Sequence, residues 1–289
     1  MKVLLTTDGS EAAEKAIRWF VYLSLHTQNT YEIITVENAS AFGLMQAELY
    51  DEYRRVWREN ARSSFERANA IVQDSGLNAI HVDRIGQASD EIEKYARESG
   101  TDLIVLGAHG ASGLTSFLLG STSDAVAMYA SCSVLVVRDA VQDCGSKEPL
   151  RVTMAYDGSD AAKNAASVLG EFGLPVTTKL DLVSIIEHPP LLDPDMIYDV
   201  QLTKQTKDAL QLVADSLRNE FRDIETHVIE KVHLRNGLLD ALQNNRADLV
   251  VLGDKGRSAI NRFFMGSVSR FILSNAPCSV FLSRKRLGS

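Results

Sequence analysis

The sequence predicts two consecutive α/β domains, each with a five-stranded parallel sheet covered by helices on both faces. Short runs that are apolar throughout alternate with longer segments whose apolar residues recur at helical spacing, which is typical of parallel sheets. The same motifs occur twice along the 289 residues, a length that suggests two domains of ordinary size. Two apolar runs in each copy end in glycine-containing loops, and a strand order of 3-2-1-4-5 would make those two strands neighbours.

The first copy is predicted to span residues 1–139. Ser10 follows the first strand and precedes a helical pattern, so it is the predicted N-cap of that helix. Residues 38–50 look irregular or like a lid. The predicted strands are residues 2–7, 31–36, 82–85, 103–106 and 133–137, and the predicted helices are 13–23, 51–75, 89–98 and 122–129.

A polar segment, residues 139–149, is interpreted as a linker, after which the pattern restarts. The second Asp-Gly-Ser motif lies 157 − 8 = 149 residues after the first, and the second loop glycine 253 − 107 = 146 residues after its counterpart. A duplicated domain with small net gaps, residues 150–285, fits these offsets. Its predicted strands are residues 151–156, 180–185, 227–232, 249–252 and 279–282, with helices near 196–221 and 238–244 and another after the second glycine motif.

The glycine motif follows the fourth strand of each copy and opens into a helix. Glycine lets the backbone approach a ligand closely, while the free N–H groups and dipole of a helix N-terminus favour an anion. One copy alone fits ordinary turn glycines with a serine cap equally well, but two copies with identical spacing favour an anion site. The motif residues are Gly107, Gly110, Gly120 and Ser121, and Gly253, Gly256, Gly266 and Ser267.

Asp8 and Asp157 end the first strands of the two copies. In open parallel sheets, ligands bind beyond the carboxyl ends of the strands at the point where the strand order reverses. With the order 3-2-1-4-5, Asp8 and the loop at Gly107 would face one cleft, and Asp157 and the loop at Gly253 another.

The composition excludes several classes of protein. A formal net charge of -8 argues against a general nucleic-acid or anionic-membrane binder. No apolar run would span a bilayer, and the N-terminus becomes polar too soon for a signal peptide. Cys132, Cys144 and Cys278 form neither a disulfide framework nor a metal-binding spacing, so we expect a cytoplasmic protein. Cys132 and Cys278 are interpreted as buried structural thiols.

Both halves resemble the universal stress protein domain, whose pattern is Asp-Gly-Ser after the first strand and later Gly-x2-Gly-x9-Gly-Ser or Gly-Thr. The Cys-Ser-Val strands at residues 132–134 and 278–280 fit as well. The resemblance covers nearly the whole chain except the linker and the C-terminal tail. It implies tandem Rossmann-like (adenine nucleotide alpha hydrolase-like) domains of the ATP-binding branch.

In that branch the glycine motif holds the triphosphate of ATP, and Mg²⁺ would arrive with the nucleotide. The first-strand aspartate and the backbone at the end of the second strand hold the nucleoside, which by position are Asp8 and Val36, and Asp157 and Ile185. The family often dimerises through its fifth strands. The resemblance therefore implies pairing of the two fifth strands within one chain, as a pseudo-dimer, and leaves a homodimer of two chains open.

The two copies differ around the motif. His109 stands where the second copy has Lys255, and Lys255, Arg257 and Arg262 would bring positive charge to phosphates or form a solvated basic face. At an offset of 146, Gly86 aligns with residue 232, a valine. This alignment predicts a narrower second cleft and tighter binding in the first.

We expect a nucleotide receptor in stress response or regulation, without dedicated catalysis. The alternative is a slow ATPase or phosphotransferase, although the sequence has no Walker lysine and no paired carboxylates near either loop. A dinucleotide or flavin protein is disfavoured because each first loop offers a single glycine, Gly9 or Gly158. A scaffold with empty clefts is also open.

Overall fold

The computed structural model describes residues 1–23, 29–38, 47–110, 119–138, 148–188, 200–256 and 265–285. These residues form two compact units, the first containing the described residues up to 138 and the second those from 148 onward. Each unit has the element order βαβαβαβαβ. The architecture repeats, as the two sets of sequence motifs predict.

The first unit is built around a parallel sheet of order β3-β2-β1-β4-β5. The predicted order is thereby confirmed, and β1 lies beside β4. The elements are β1 (Lys2–Thr6), α1 (Glu11–Leu23), β2 (Thr30–Asn38), α2 (Ala47–Gln73), β3 (Ala79–Gly86), α3 (Ala88–Ser99), β4 (Leu103–Gly107), α4 (Ser121–Tyr129) and β5 (Ser133–Val137).

The second unit has the equivalent order β8-β7-β6-β9-β10, again with parallel strands. The first and fourth strands of this unit, β6 and β9, are neighbours as well. The elements are β6 (Arg151–Ala155), α5 (Asp160–Glu171), β7 (Lys179–Glu187), α6 (Val200–Ser216), β8 (Asp223–Lys231), α7 (Leu234–Asn244), β9 (Leu249–Gly253), α8 (Ser267–Asn275) and β10 (Ser279–Ser283).

Helices cover both faces of each sheet, which explains why the central strands are apolar throughout. In the first unit α1 packs beside α2, and α3 packs beside α4. Every residue of β4 and β5 is buried between these two layers. Burying such strands removes apolar surface from water and supplies most of the driving force for folding.

The first helix of each unit begins at a serine cap. The N–H of Ala13 donates to Oγ of Ser10 at 3.2 Å, and the N–H of Ala162 donates to Oγ of Ser159 at 3.1 Å. The predicted cap at Ser10 is confirmed. Each cap fixes the turn that carries the adjacent Asp-Gly pair.

Several predicted boundaries differ from the structure. The third strand begins at Ala79 rather than at residue 82, and α7 begins at Leu234 rather than at 238. Of residues 38–50, predicted as irregular or a lid, Asn38 ends β2, residues 47–50 belong to helix α2, and residues 39–46 lie outside the described residues.

Cys132 and Cys278 are buried, as predicted, and Cys144 lies outside the described residues. Among the described helices, none combines the length and the apolar character needed to cross a bilayer.

Candidate functional site

A cavity of about 330 Å³, called the first cavity below, lies at the carboxyl ends of β1, β2 and β4. It contains the reversal of strand order where ligands bind in this type of sheet. The structure brings all the residues predicted for the first site to its lining: Asp8, Val36, Gly107, Gly110, Gly120 and Ser121.

The carboxylate of Asp8 faces the loop that follows β4. Its Oδ1 accepts the N–H of Ser10 at 3.0 Å, which holds the side chain in a tight turn. A β-carbon built on Gly110 would lie 2.6 Å from Oδ2 of Asp8. Any side chain at position 110 would therefore displace the aspartate, and the predicted meeting of Asp8 with the glycine loop is observed.

The N-terminus of α4 opens onto the first cavity without a side-chain cap. Gly120 is the N-cap residue, and no side chain bonds to the first turn of the helix among the described residues. The N–H of Gly120 donates to the carbonyl of Ala108 at 2.8 Å, so this glycine ties the loop together. The next N–H groups, those of Ser121 and Thr122, have no acceptor within the helix and can bind an anion.

Gly107 and Gly253 line the cavities, but their lack of a side chain has a structural cause. A β-carbon on Gly107 would lie 3.0 Å from the carbonyl carbon and oxygen of Ala12 in α1. On Gly253 it would lie 2.8 Å from the carbonyl carbon of Ala161 in α5. These glycines therefore allow the first helix of each unit to pack against the end of the fourth strand.

Sequence reasoning missed one buried serine in each unit. Oγ of Ser123 donates to the carbonyl of Gly107 at 2.7 Å, and Oγ of Ser269 donates to the carbonyl of Gly253 at 2.8 Å. These bonds fix the anion-facing helix to the strand that carries the loop. The signal was available in the sequence, because a serine follows each Gly-Ser pair two residues later.

Replacing Ser123 with alanine is expected to lower the free energy of unfolding of the first unit by about 1 kcal/mol, because a buried hydrogen bond is lost. The matched control is Ser121→Ala, since Ser121 is exposed and its removal should leave stability unchanged. Both tryptophans, Trp19 and Trp57, lie in the first unit, so urea unfolding followed by fluorescence measures this difference. Equal unfolding curves for the two variants would contradict the assignment.

The second cavity has a volume of about 400 Å³ and lies at the equivalent edge of the second sheet. It is lined by all the residues predicted for the second site: Asp157, Ile185, Gly253, Gly256, Gly266 and Ser267.

The second cavity repeats the geometry of the first. Oδ1 of Asp157 accepts the N–H of Ser159 at 2.9 Å, and a β-carbon on Gly256 would lie 3.1 Å from Oδ2 of Asp157. Gly266 is the N-cap of α8, which also has no side-chain cap among the described residues. Its N–H donates to the carbonyl of Asp254 at 2.7 Å.

The two cavities differ in the side chains around this shared frame. Small or polar residues of the first cavity are replaced by larger apolar ones in the second, which makes the second cavity more apolar. The replacements are Tyr156 for Thr7, Leu234 for Ala88 and Val268 for Thr122, while Leu238 keeps the apolar character of Ile92.

The charges also differ. Nζ of Lys255 lies 3.5 Å from Oδ2 of Asp254, and Nε of Arg284 lies 3.5 Å from the same oxygen, so the aspartate offsets positive charge beside the second cavity. In the first cavity His109 takes the place of Lys255, and its buried Nε2 has no hydrogen-bond partner among the described residues. Arg257 and Arg262 lie outside the described residues.

The alignment of Gly86 with Val232 is wrong. Gly86 is the cross-strand partner of the last residue of β2, and in the second unit the partner of the last residue of β7 is Lys231. Val232 does not line the second cavity, which is the larger of the two. The narrowing that this alignment predicted is therefore not observed.

At this contact the two units exchange the positions of a glycine and a long side chain. A β-carbon on Gly86 would lie 2.7 Å from Cγ of Glu91, and one on Gly237 would lie 2.9 Å from Cγ of Lys231. Each unit thus keeps one glycine and one long side chain at this contact, with their positions swapped. The segment between these two positions is one residue longer in the second unit, so an alignment with a fixed offset does not reveal the swap.

The fold and the two cavities define a duplicated α/β protein with a ligand pocket at each reversal of strand order. The sequence model of the universal stress protein family matches residues 1–138 and 150–284. The chain therefore belongs to the universal stress protein family.

Relatives of one and of two domains match the chain. A universal stress protein of Mycolicibacterium smegmatis is 27% identical over 98% of this chain and 97% of its own length. Universal stress protein YxiE of Bacillus subtilis is 31% identical over 47% of this chain and 98% of its own length. The crystal structure of a universal stress protein from Archaeoglobus fulgidus matches with a TM-score of 0.70 and 20% identity, covering 100% of this chain and 97% of that one.

Proposed function

We propose that each unit binds one adenine nucleotide, ATP with its Mg²⁺, and that the protein acts as a nucleotide receptor in stress response rather than as an enzyme. The observation that carries the proposal is the helix N-terminus that faces each cavity opposite an aspartate, with a glycine at the N-cap and no side-chain cap among the described residues. An anion gains both the free N–H groups and the positive end of the helix dipole there.

The remaining lining supports a ligand with an apolar part. Ile34 and Val36 of β2 and Ile92 of α3 contribute apolar side chains to the lining of the first cavity. Volumes of about 330 and 400 Å³ lie in the range of small-molecule sites. A nucleotide, with a planar base at one end and phosphates at the other, has the matching distribution of polarity.

Each predicted residue has a role in this proposal. The N–H groups at the start of α4 and α8 and the hydroxyls of Ser121 and Ser267 bind the phosphates. Gly110 and Gly256 let the loop approach them. Asp8 and Asp157 accept hydrogen bonds from the nucleoside, and the backbone at Val36 and Ile185 binds the base. All of these residues line one of the two cavities.

A receptor is favoured over an ATPase because the described lining of each cavity offers one carboxylate, Asp8 or Asp157. Phosphoryl transfer needs metal ligands, a positioned base or water, and charge stabilisation at once. An aspartate that binds the nucleoside leaves the described lining without a second carboxylate for water activation.

Equilibrium dialysis of the full chain against ATP and Mg²⁺ tests the proposal, with AMP, cAMP and GTP as comparison ligands. We expect two molecules of ATP per chain and weaker binding of GTP. Mass spectrometry of ligand released from freshly purified, denatured protein should find an adenine nucleotide. Absence of saturable binding would overturn the proposal, and turnover well above the buffer rate that is lost in Asp8→Ala would favour the enzyme instead.

Localisation in the cytoplasm and association of two chains are further predictions. Cell fractionation and light scattering measure them directly.

A further inference from the structure

Three potential metal ligands lie together on the sheet of the second unit. Asp181 belongs to β7, and Glu225 and His227 belong to the neighbouring edge strand β8. The register pairs Asp181 with Glu225 and Val183 with His227, so the three side chains share one face of the parallel sheet. Ile185, which lines the second cavity, lies four residues further along β7, roughly 13 Å away at the rise of a strand. The cluster is therefore separate from the cavity.

The distances within the cluster fit one shared ion. Nε2 of His227 lies 2.9 Å from Oδ1 of Asp181 and 3.7 Å from Oε2 of Glu225. One ligand atom from each residue lies within 4.8 Å of the others. A ring nitrogen carries at most one proton, so it can satisfy only one of the two carboxylates. A metal ion placed between the three side chains would bind Nε2 of His227 and one oxygen of each carboxylate.

The charge of the cluster also favours a cation. Within the described part of the chain, neither Asp181 nor Glu225 forms an ion pair with a lysine or arginine. The nearest lysine on β7, Lys179, is paired with Asp223 at 3.5 Å. Glu225 is 70% exposed and His227 34% exposed, so an ion can reach the site from solvent.

The first unit shows that the fold does not need this cluster. The counterpart of Asp181 is Glu32 (181 − 32 = 149), whose Oε1 lies 3.0 Å from Nζ of Lys2. The cross-strand positions that correspond to Glu225 and His227 are Ile80 and Val82. The first unit thus neutralises its carboxylate with a lysine and has apolar residues where the second has two further ligands.

We propose that Asp181, Glu225 and His227 bind a divalent first-row transition-metal ion, with zinc as the representative. An imidazole together with two carboxylates suits such an ion, whereas Mg²⁺ and Ca²⁺ prefer oxygen ligands alone. Zinc accepts this donor set with water in the fourth position. Binding would link β7 to β8 and stabilise the second unit, because the unfolded chain does not hold the three ligands together.

Calorimetric titration of the untagged, chelator-treated full chain with Zn²⁺, without nucleotide, tests this proposal. We expect a site whose affinity falls at least tenfold in His227→Gln and in Glu225→Gln. The exposed position of Glu225 keeps the second variant folded. His81→Gln is the matched control, since His81 is an exposed histidine on β3, and it should bind Zn²⁺ as the wild type does.

Co²⁺ provides a second readout, because its absorption spectrum reports the ligands. We expect weak visible bands of a nitrogen and oxygen site that persist with equimolar Mg²⁺. Zn²⁺ binding that is absent or unchanged in both cluster variants, an intense thiolate band with Co²⁺, or displacement by equimolar Mg²⁺ would overturn the proposal. Because these titrations contain no nucleotide, their outcome is independent of the proposed function.

Discussion

Asp8→Ala is expected to remove one bound nucleotide per chain and to leave the other in place. Losing a hydrogen bond to a charged group costs about 1.5–3 kcal/mol, which corresponds to roughly a 10- to 150-fold weaker affinity. Asp157→Ala should do the same in the second unit, and the double variant should bind neither. Equilibrium dialysis over a range of ATP concentrations measures how many sites each variant fills and how far the affinity of the changed site falls.

The sign of the effect separates two roles for Asp8. If its carboxylate only lay near the phosphates, its removal would relieve repulsion and strengthen ATP binding. If it accepts a hydrogen bond from the nucleoside, its removal weakens binding. Asp8→Asn controls for folding, because it keeps an oxygen that can accept the N–H of Ser10. Unchanged or tighter ATP binding by Asp8→Ala would rule out the proposed role.

Gly253→Ala is expected to lower the free energy of unfolding of the second unit by about 1–3 kcal/mol, the usual cost of overpacking. The added methyl group would lie 2.8 Å from the carbonyl carbon of Ala161 and 3.0 Å from the nitrogen of Ala162. Backbone atoms of a packed helix cannot rotate away, so α5 must shift from β9.

The matched control is Gly170→Ala in α5, the helix that packs against Gly253. There the nearest atom to the added methyl group is Cδ2 of Leu217 at 3.3 Å, part of a flexible side chain. Alanine also favours the helix over glycine by up to about 1 kcal/mol, so this variant should be as stable as the wild type or slightly more stable.

Unfolding followed by circular dichroism reports both units, whereas tryptophan fluorescence reports the first alone, because Trp19 and Trp57 lie there. We expect Gly253→Ala to shift the circular dichroism transition and leave the fluorescence transition in place. Identical unfolding of Gly253→Ala and Gly170→Ala would contradict the packing role of Gly253.

The duplication was predictable because its motifs occur twice in the sequence, whereas the strand order was the one expected for a Rossmann-like sheet and does not follow from the motifs themselves. Two Asp-Gly-Ser motifs and two glycine motifs of identical spacing mark the ends of β1, β4, β6 and β9. The edge strands were harder, because β3 is only partly buried and its apolar residue Ile80 is 67% exposed. The pattern of apolar residues underestimates the length of such strands, because few of their side chains are buried by the rest of the unit.

The sequence predicted which glycine-motif and aspartate residues line the two cavities, but it did not predict the structural role of each one. The sequence indicates a ligand-binding role for Gly107. The structure shows that a glycine at this position also lets the end of β4 lie close to the backbone of Ala12. The exchange of Gly86 and Glu91 for Lys231 and Gly237 depends on an extra loop residue that no fixed offset reveals. The pairing of Lys255 with Asp254 depends on side-chain conformation, which the sequence does not specify.

The proposal that each unit holds a nucleotide at the N-terminus of the helix after the glycine motif is tested most directly by the crystal structure of the full chain grown with ATP and Mg²⁺. The account predicts phosphate density within hydrogen-bond distance of the N–H groups of Ser121 and Ser267, with the base beside Val36 and Ile185. Cavities that stay empty at millimolar ATP, or nucleotide bound elsewhere with both helix N-termini vacant, would contradict it.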